Sequence, residues 1–202
     1  MGNLIRSYKM YPVWEYEEEE RDLNEASKKG IQLVKGGCFH SVFKKDDSVN
    51  YYYQLDYNLG IKDVERYRES FEEQGWEYIN STFNGWHYFR KKKEEMQSED
   101  DQHIYTDRDS LFEMQNRWIR LLKGLEIFYV VFTILYIFIS FREPGPAIIL
   151  ETCIFATFAI MFGLALINTS RGRQGKRKWP NLPIQVIFPI SIILLLIIPF
   201  LL

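Results

Sequence analysis

Three apolar runs, Leu125–Phe141, Ala147–Ile167 and Leu182–Leu202, dominate the second half of the sequence and leave little room for an ordinary water-soluble fold there. They are 17, 21 and 21 residues long, and a helix that crosses a bilayer needs about 20. Apolar side chains occur all round each run with no polar stripe, which separates them from surface amphipathic helices. Three such segments in succession predict three transmembrane helices.

The charges divide the chain in the same place. Residues 1–110 hold 16 Lys and Arg against 23 Asp and Glu, whereas residues 111–202 hold 9 against 4. The sequence therefore reads as an acidic, aromatic-rich domain over residues 1–95, a charged linker over 96–110 and a membrane domain over 111–202. A net charge of −2 argues against a nucleic-acid binder, which carries a basic face, so no direct nucleic-acid contact is expected. Met1–Tyr16 has no apolar core of a cleavable signal. Arg6 stands where a myristoylation signal needs Ser or Thr.

Basic residues set the expected orientation. The stretch Ser170–Trp179 carries five Lys and Arg and no acid, while the turn Arg142-Glu143-Pro144-Gly145-Pro146 carries one basic residue. Basic flanks stay in the cytoplasm. This places residues 1–123 inside, the Pro-Gly-Pro turn outside, the basic loop inside and Leu202 outside, in a multi-pass cell-membrane protein. Cys38 and Cys153 then lie where disulfides are not expected.

Within the acidic half, Tyr8–Tyr16 alternates with a period of two and reads as a strand, with Pro12 marking an edge or an end. Glu17–Lys29 reads as a helix, its acids in front and its lysines behind, stopped at Gly30. Ile31–Phe43 and Val49–Tyr57 read as a hairpin around Lys44–Ser48, with Gly36-Gly37 a bulge or a close backbone approach. A second helix covers Lys62–Gln74 and stops at Gly75; Trp76–Ser81 is extended, and Phe83–Arg90 forms the last strand. Lys91–Gln102 reads as a charged linker, and Asp109 or Ser110 as the cap of a helix that runs from Ser110 through Lys123 into the first span. The order predicts an α+β ferredoxin-like (βαββαβ) domain with both helices on one face of a single sheet, followed by an all-α membrane domain of three helices.

Aromatic residues fall on both sides of the expected strands. Tyr51, Tyr53, Leu55 and Tyr57 alternate with Tyr52, Gln54 and Asp56, and Trp86 and Tyr88 with His87 and Phe89. A wet sheet face alternates with charge, so either these are core aromatics with ordinary surface tyrosines, or the second face is covered by a second copy, a partner protein or a small ligand. Trp14, His40, Tyr52, Asp56, Trp86, His87 and Tyr88 are the residues expected to bind it. No Ser-His-Asp order, phosphate loop or paired-carboxylate motif stands out, and His40, His87 and Asp56 lack metal-ligand spacing; no cofactor and no metal are expected.

The pattern Lys28-Lys29-Gly30, Tyr51–Asp56, Tyr67-x3-Phe71-x3-Gly75-Trp76-Glu77, Trp86-x2-Phe89-Arg90-Lys91 and Ile104-Tyr105-Thr106-Asp107-x2-Ser110 resembles the bacterial domain of unknown function 2812 (DUF2812) over residues 5–120. The resemblance implies C-terminal membrane helices and a link to PadR-type transcriptional regulators, beside which members are often encoded. It supplies no catalytic residues. The resulting expectation is a membrane-anchored cytoplasmic regulatory or sensing module that acts by binding a protein or ligand. Two alternatives stand beside it. One is an enzyme acting on an apolar or membrane-derived substrate at the inner surface, with His40, Asp56 or His87 as acid or base. The other is a small transport or assembly subunit that would use Glu126 and Glu151 inside the spans.

Overall fold

A computed structural model of the protein describes residues 4–98, 100–176 and 191. The chain divides into two compact units, Met1–Trp118 and Ile119–Leu202, with the boundary inside one long helix.

Among its described residues the first unit carries six strands and two complete α-helices: β1 (Leu4–Ser7), α1 (Tyr16–Lys28), β2 (Ile31–Lys35), β3 (Ser41–Lys45), β4 (Tyr51–Tyr57), α2 (Val64–Glu72), β5 (Glu77–Ser81) and β6 (Trp86–Lys92). They build two three-stranded antiparallel sheets, ordered β1-β3-β2 and β4-β6-β5. The two sheets are copies of one βαββ plan. Gly75 lies 45 residues after Gly30, and both end a helix at positive φ (71° and 81°). Trp86 opens β6 as Ser41, 45 residues earlier, opens β3. Even the strand irregularities correspond, one between Leu33 and Lys35 and the other between Tyr78 and Asn80.

The single ferredoxin-like sheet is thus corrected to two sheets, and the reason is local. Gly36-Gly37 is the turn of a β2–β3 hairpin rather than an interruption within one long arm. A Cβ at Gly36 would fall 2.5 Å from the Tyr88 ring, and one at Gly37 would fall on the His40 carbonyl. The close backbone approach holds; the bulge sits earlier, at Val34. The Asp46–Asn50 stretch then passes from the first sheet to the second instead of closing a hairpin. The strand expected at Tyr8–Tyr16 is replaced by β1, an irregular stretch and a short 3₁₀ turn at Val13–Glu15. The alternation there serves another purpose: Lys9 and the Tyr11 hydroxyl both reach Asp22 on α1, at 2.5 and 2.6 Å.

Asn80 joins the two sheets where β2 and β5 approach. Its amide donates to the Gly36 carbonyl at 2.9 Å and accepts from the Gly36 N–H at 2.8 Å. At the far edge of the second sheet, α1 lies along β4. Glu20, Asn24 and Ser27 accept the N–H groups of Leu55, Tyr53 and Tyr51 at 2.7, 2.7 and 2.9 Å. Four helical residues rise about 6 Å and two strand residues about 6.7 Å, so residues on one helix face can meet alternate amides.

The helices cover opposite faces of the second sheet. Tyr16 of α1 stacks on Trp86 at 5.4 Å, while Phe71 of α2 meets Phe89 at 4.4 Å on the other side. Phe71, Trp76, Phe89 and Ile104 form the core beneath α2. The segment expected as a linker is partly built into this unit: β6 runs to Lys92, and Lys91 donates to the Gln74 carbonyl at 3.0 Å.

Two helices follow, α3 (Arg108–Arg142) and α4 (Pro146–Arg173). Asp107, not Asp109 or Ser110, caps α3, accepting the Ser110 N–H at 2.8 Å. In the second unit the two helices meet along an aromatic seam, with Tyr129 stacked on Phe158 at 5.0 Å and Phe132 on Phe155 at 5.4 Å. Ile127, Ile134, Phe141 and Ile160 are exposed on these helices. Both are long and apolar enough to cross a membrane, and they are the two candidate spans among the described residues. The third expected span, 182–202, lies outside the described residues apart from Ser191.

Candidate functional site

Asp56 and His87 form a directly paired position on β4 and β6. Asp56 is fully buried, and its carboxylate accepts the Tyr67 hydroxyl of α2 at 2.6 Å and the Tyr105 hydroxyl at 2.5 Å. Arg117 of α3 lies 3.5 Å away and donates to the Tyr57 carbonyl at 3.1 Å. Three other pieces of chain are thereby fastened to one carboxylate on β4. Burial, then the Asp56 charge, pushes both tyrosine hydroxyls above their ordinary range. His87 bonds the Asn58 carbonyl through Nε2 at 3.0 Å, and burial pushes its pKa down. Its Nδ1 is buried with no hydrogen-bond partner among the described residues. A carboxylate so fully engaged is a fastening point, and its donors leave no face open to a substrate.

Trp86 and Tyr88 point to the other side. Trp86 sits between Tyr16 and Tyr57, and the Tyr88 hydroxyl donates to Glu19 at 2.7 Å. The aromatic faces are therefore covered from within the chain, by α1 on one side and α2 on the other. His40 lies elsewhere, in a cleft of about 260 Å³ between the tips of the β2–β3 and β5–β6 hairpins, where Phe39 and Phe83 stack at 6.2 Å. Trp14 is half-buried in the 3₁₀ turn before α1. Of the expected binding residues, Tyr52 alone lines a wider opening beside α1.

That opening has a volume of about 790 Å³. Its walls come from α1, from Tyr52 and Gln54 on β4, from Lys93–Ser98, and from Leu111 and Met114 at the start of α3. Tyr16 and Met114 give it an apolar floor; Glu17, Arg21, Glu25, Lys28 and Lys93 give it a charged rim of both signs. Burial pushes the Glu20 carboxyl up to about 8 even though Leu55 donates to it. The Tyr16 hydroxyl accepts from Gln115 of α3 at 2.8 Å, which ties the floor to that helix. Neither Asp56 nor His87 lines this opening or the His40 cleft. Among the described residues no group of three or more His, Cys, Asp or Glu is placed to hold a metal ion.

Sequence reasoning missed Tyr67, Tyr105 and Arg117 as the partners of Asp56. Tyr67 and Tyr105 stand in the sequence patterns that carry the family resemblance, but spacing alone does not show that two hydroxyls share one carboxylate. Glu19 and Glu20 were hidden in an acidic run that reads only as the front of a helix.

No curated protein matches the chain, and no solved structure does. A family described as "Protein of unknown function (DUF2812)" matches residues 15–129, more than half of the sequence, and that stretch includes Asp56, Tyr67, Tyr105 and Arg117. The chain belongs to the DUF2812 family.

Proposed function

We propose that this protein is a membrane-anchored regulatory or sensing module that acts by binding. In this reading α3, α4 and the third apolar run cross the cell membrane as three spans. The acidic domain sits at the cytoplasmic side, the basic loop after α4 faces inward, and the C-terminus lies outside. The binding site is the opening of about 790 Å³, which takes a small ligand or a segment of a partner protein. The reading rests above all on Leu111 and Met114: the helix that lines this opening is the same helix that continues to Arg142 as a candidate span. An occupant of the opening therefore touches the element that enters the bilayer. A PadR-type regulator is a fitting downstream partner, through the family link rather than through any DNA contact of this chain.

The test is cross-linking of the full-length protein in native membranes, with a photoreactive residue at Met114 or Tyr52. Capture of one defined protein or small molecule, competed away by substituting Met96, supports the reading. Cross-links to lipid or to random neighbours, unchanged by that substitution, overturn it. A reporter fused after Lys178 checks the topology, and signal only outside the cell would refute the orientation.

A further inference from the structure

A second cavity lies on the other side of α1, between that helix and the first sheet, with a volume of about 280 Å³. Leu23, Ala26, Ile31 and Phe43 make its apolar wall, and Glu19, Asp22, Lys9 and Tyr11 supply its charged and polar groups. The charges do not balance. Lys9 Nζ lies 2.5 Å from Asp22 and 3.8 Å from Glu18, and Tyr11 also donates to Asp22, so the cation in the lining is already engaged. Glu19 is 6% exposed, and its recorded partner is a neutral donor, the Tyr88 hydroxyl. Among the described residues no Lys or Arg lies within ion-pair distance of it. A buried carboxylate without a countercharge is unfavourable in an apolar setting.

We propose that this cavity binds a small organic cation with an apolar body, its charged end against the Glu19 carboxylate and its body against Leu23, Ala26, Ile31 and Phe43. The apolar wall distinguishes such a ligand from a metal ion, which would leave most of the volume empty. The restricted volume distinguishes it from a folded partner. The site is separate from the opening lined by α3, and it stands or falls independently of the membrane reading.

Burial pushes the Glu19 carboxyl up to about 7, opposed by the Tyr88 hydrogen bond. The titratable groups around it are Tyr88 on β6, Asp22 and Glu20 on α1, Tyr11 and Lys9 in the segment before α1, and Cys38 in the β2–β3 turn. A bound cation stabilises the ionised form, so binding releases a proton below that value and strengthens as pH rises through about 7.

The test is calorimetric titration of the full chain in nanodiscs, with empty nanodiscs as blank, using 2-phenylethylamine and its neutral isostere 2-phenylethanol. The amine is expected to bind at least about tenfold more tightly above the Glu19 pKa, and the preference should shrink well below it. In Glu19→Gln the two probes should bind alike. Ala26→Met, which fills the cavity without touching a charge, should abolish binding of both, and it carries the test if Glu19→Gln fails to fold. Equal binding of amine and alcohol to the unaltered protein overturns the proposal. So does no binding of either at millimolar concentration, or amine binding that survives Ala26→Met.

Discussion

Asn24 on α1 holds both backbone groups of Tyr53 on β4, accepting its N–H at 2.7 Å and donating to its carbonyl at 3.1 Å. The side-chain amide reproduces what a neighbouring strand would offer. Asn24→Leu keeps the volume and removes both bonds, leaving a buried N–H and C=O without partners. A loss of about 2–4 kcal/mol is expected, read as a lower denaturant midpoint with unchanged slope.

Asp56→Asn removes the charge that Tyr67, Tyr105 and Arg117 share. Breaking a buried, hydrogen-bonded charge cluster costs about 3–5 kcal/mol. Tyr67→Phe and Tyr105→Phe should each cost only about 1–2 kcal/mol, because the other donor and Arg117 remain. Their sum should differ from the double variant, since both act on one carboxylate. Additive losses in thermal unfolding would show that the cluster is not a unit.

Gly36→Ala places a methyl group 2.5 Å from the Tyr88 ring, which is buried and held by Glu19. The ring cannot move without breaking that bond. Overpacking of this kind costs about 1–3 kcal/mol. Gly60→Ala, with open space around it, should be near neutral in the same unfolding experiment.

Glu19 also sets a pH dependence of stability. Its folded value, about 7, lies above its ordinary value of 4.5, so the folded chain binds more protons than the unfolded chain in between. Stability should therefore fall as pH rises from about 4.5 to about 7, by at most about 3 kcal/mol from this group. Glu20, pushed up to about 8, adds a decline of its own that continues to about pH 8. Glu19→Gln should flatten its part of the curve; an unchanged slope in melts across this range would rule out Glu19 as the source.

The helices were legible because their signals are local: acids before lysines in α1, helical spacing in α2, and glycines at both stops. The apolar runs announced α3 and α4 for the same reason. Strand pairing was not legible. Period-two alternation shows that Ile31–Lys35 and Tyr51–Tyr57 are extended, but not that Gly36-Gly37 turns the chain within one sheet while Asp46–Asn50 leaves it. The doubled βαββ plan escaped notice because it survives as glycine and bulge positions rather than as similar side chains. The candidate residues were divided for a related reason. Alternation in Trp86–Phe89 separated two faces correctly, but no local pattern says that α1 would land on one and α2 on the other.

The polar stripe of α1 has a consequence for assembly. With Glu20, Asn24 and Ser27 occupying the outer amides of β4, a second chain cannot zip onto that margin. Growth of the second sheet by an added strand is thereby closed off along β4. In the first sheet the outer strand β1 carries no such polar cover among the described residues, and its Leu4 and Ile5 face solvent.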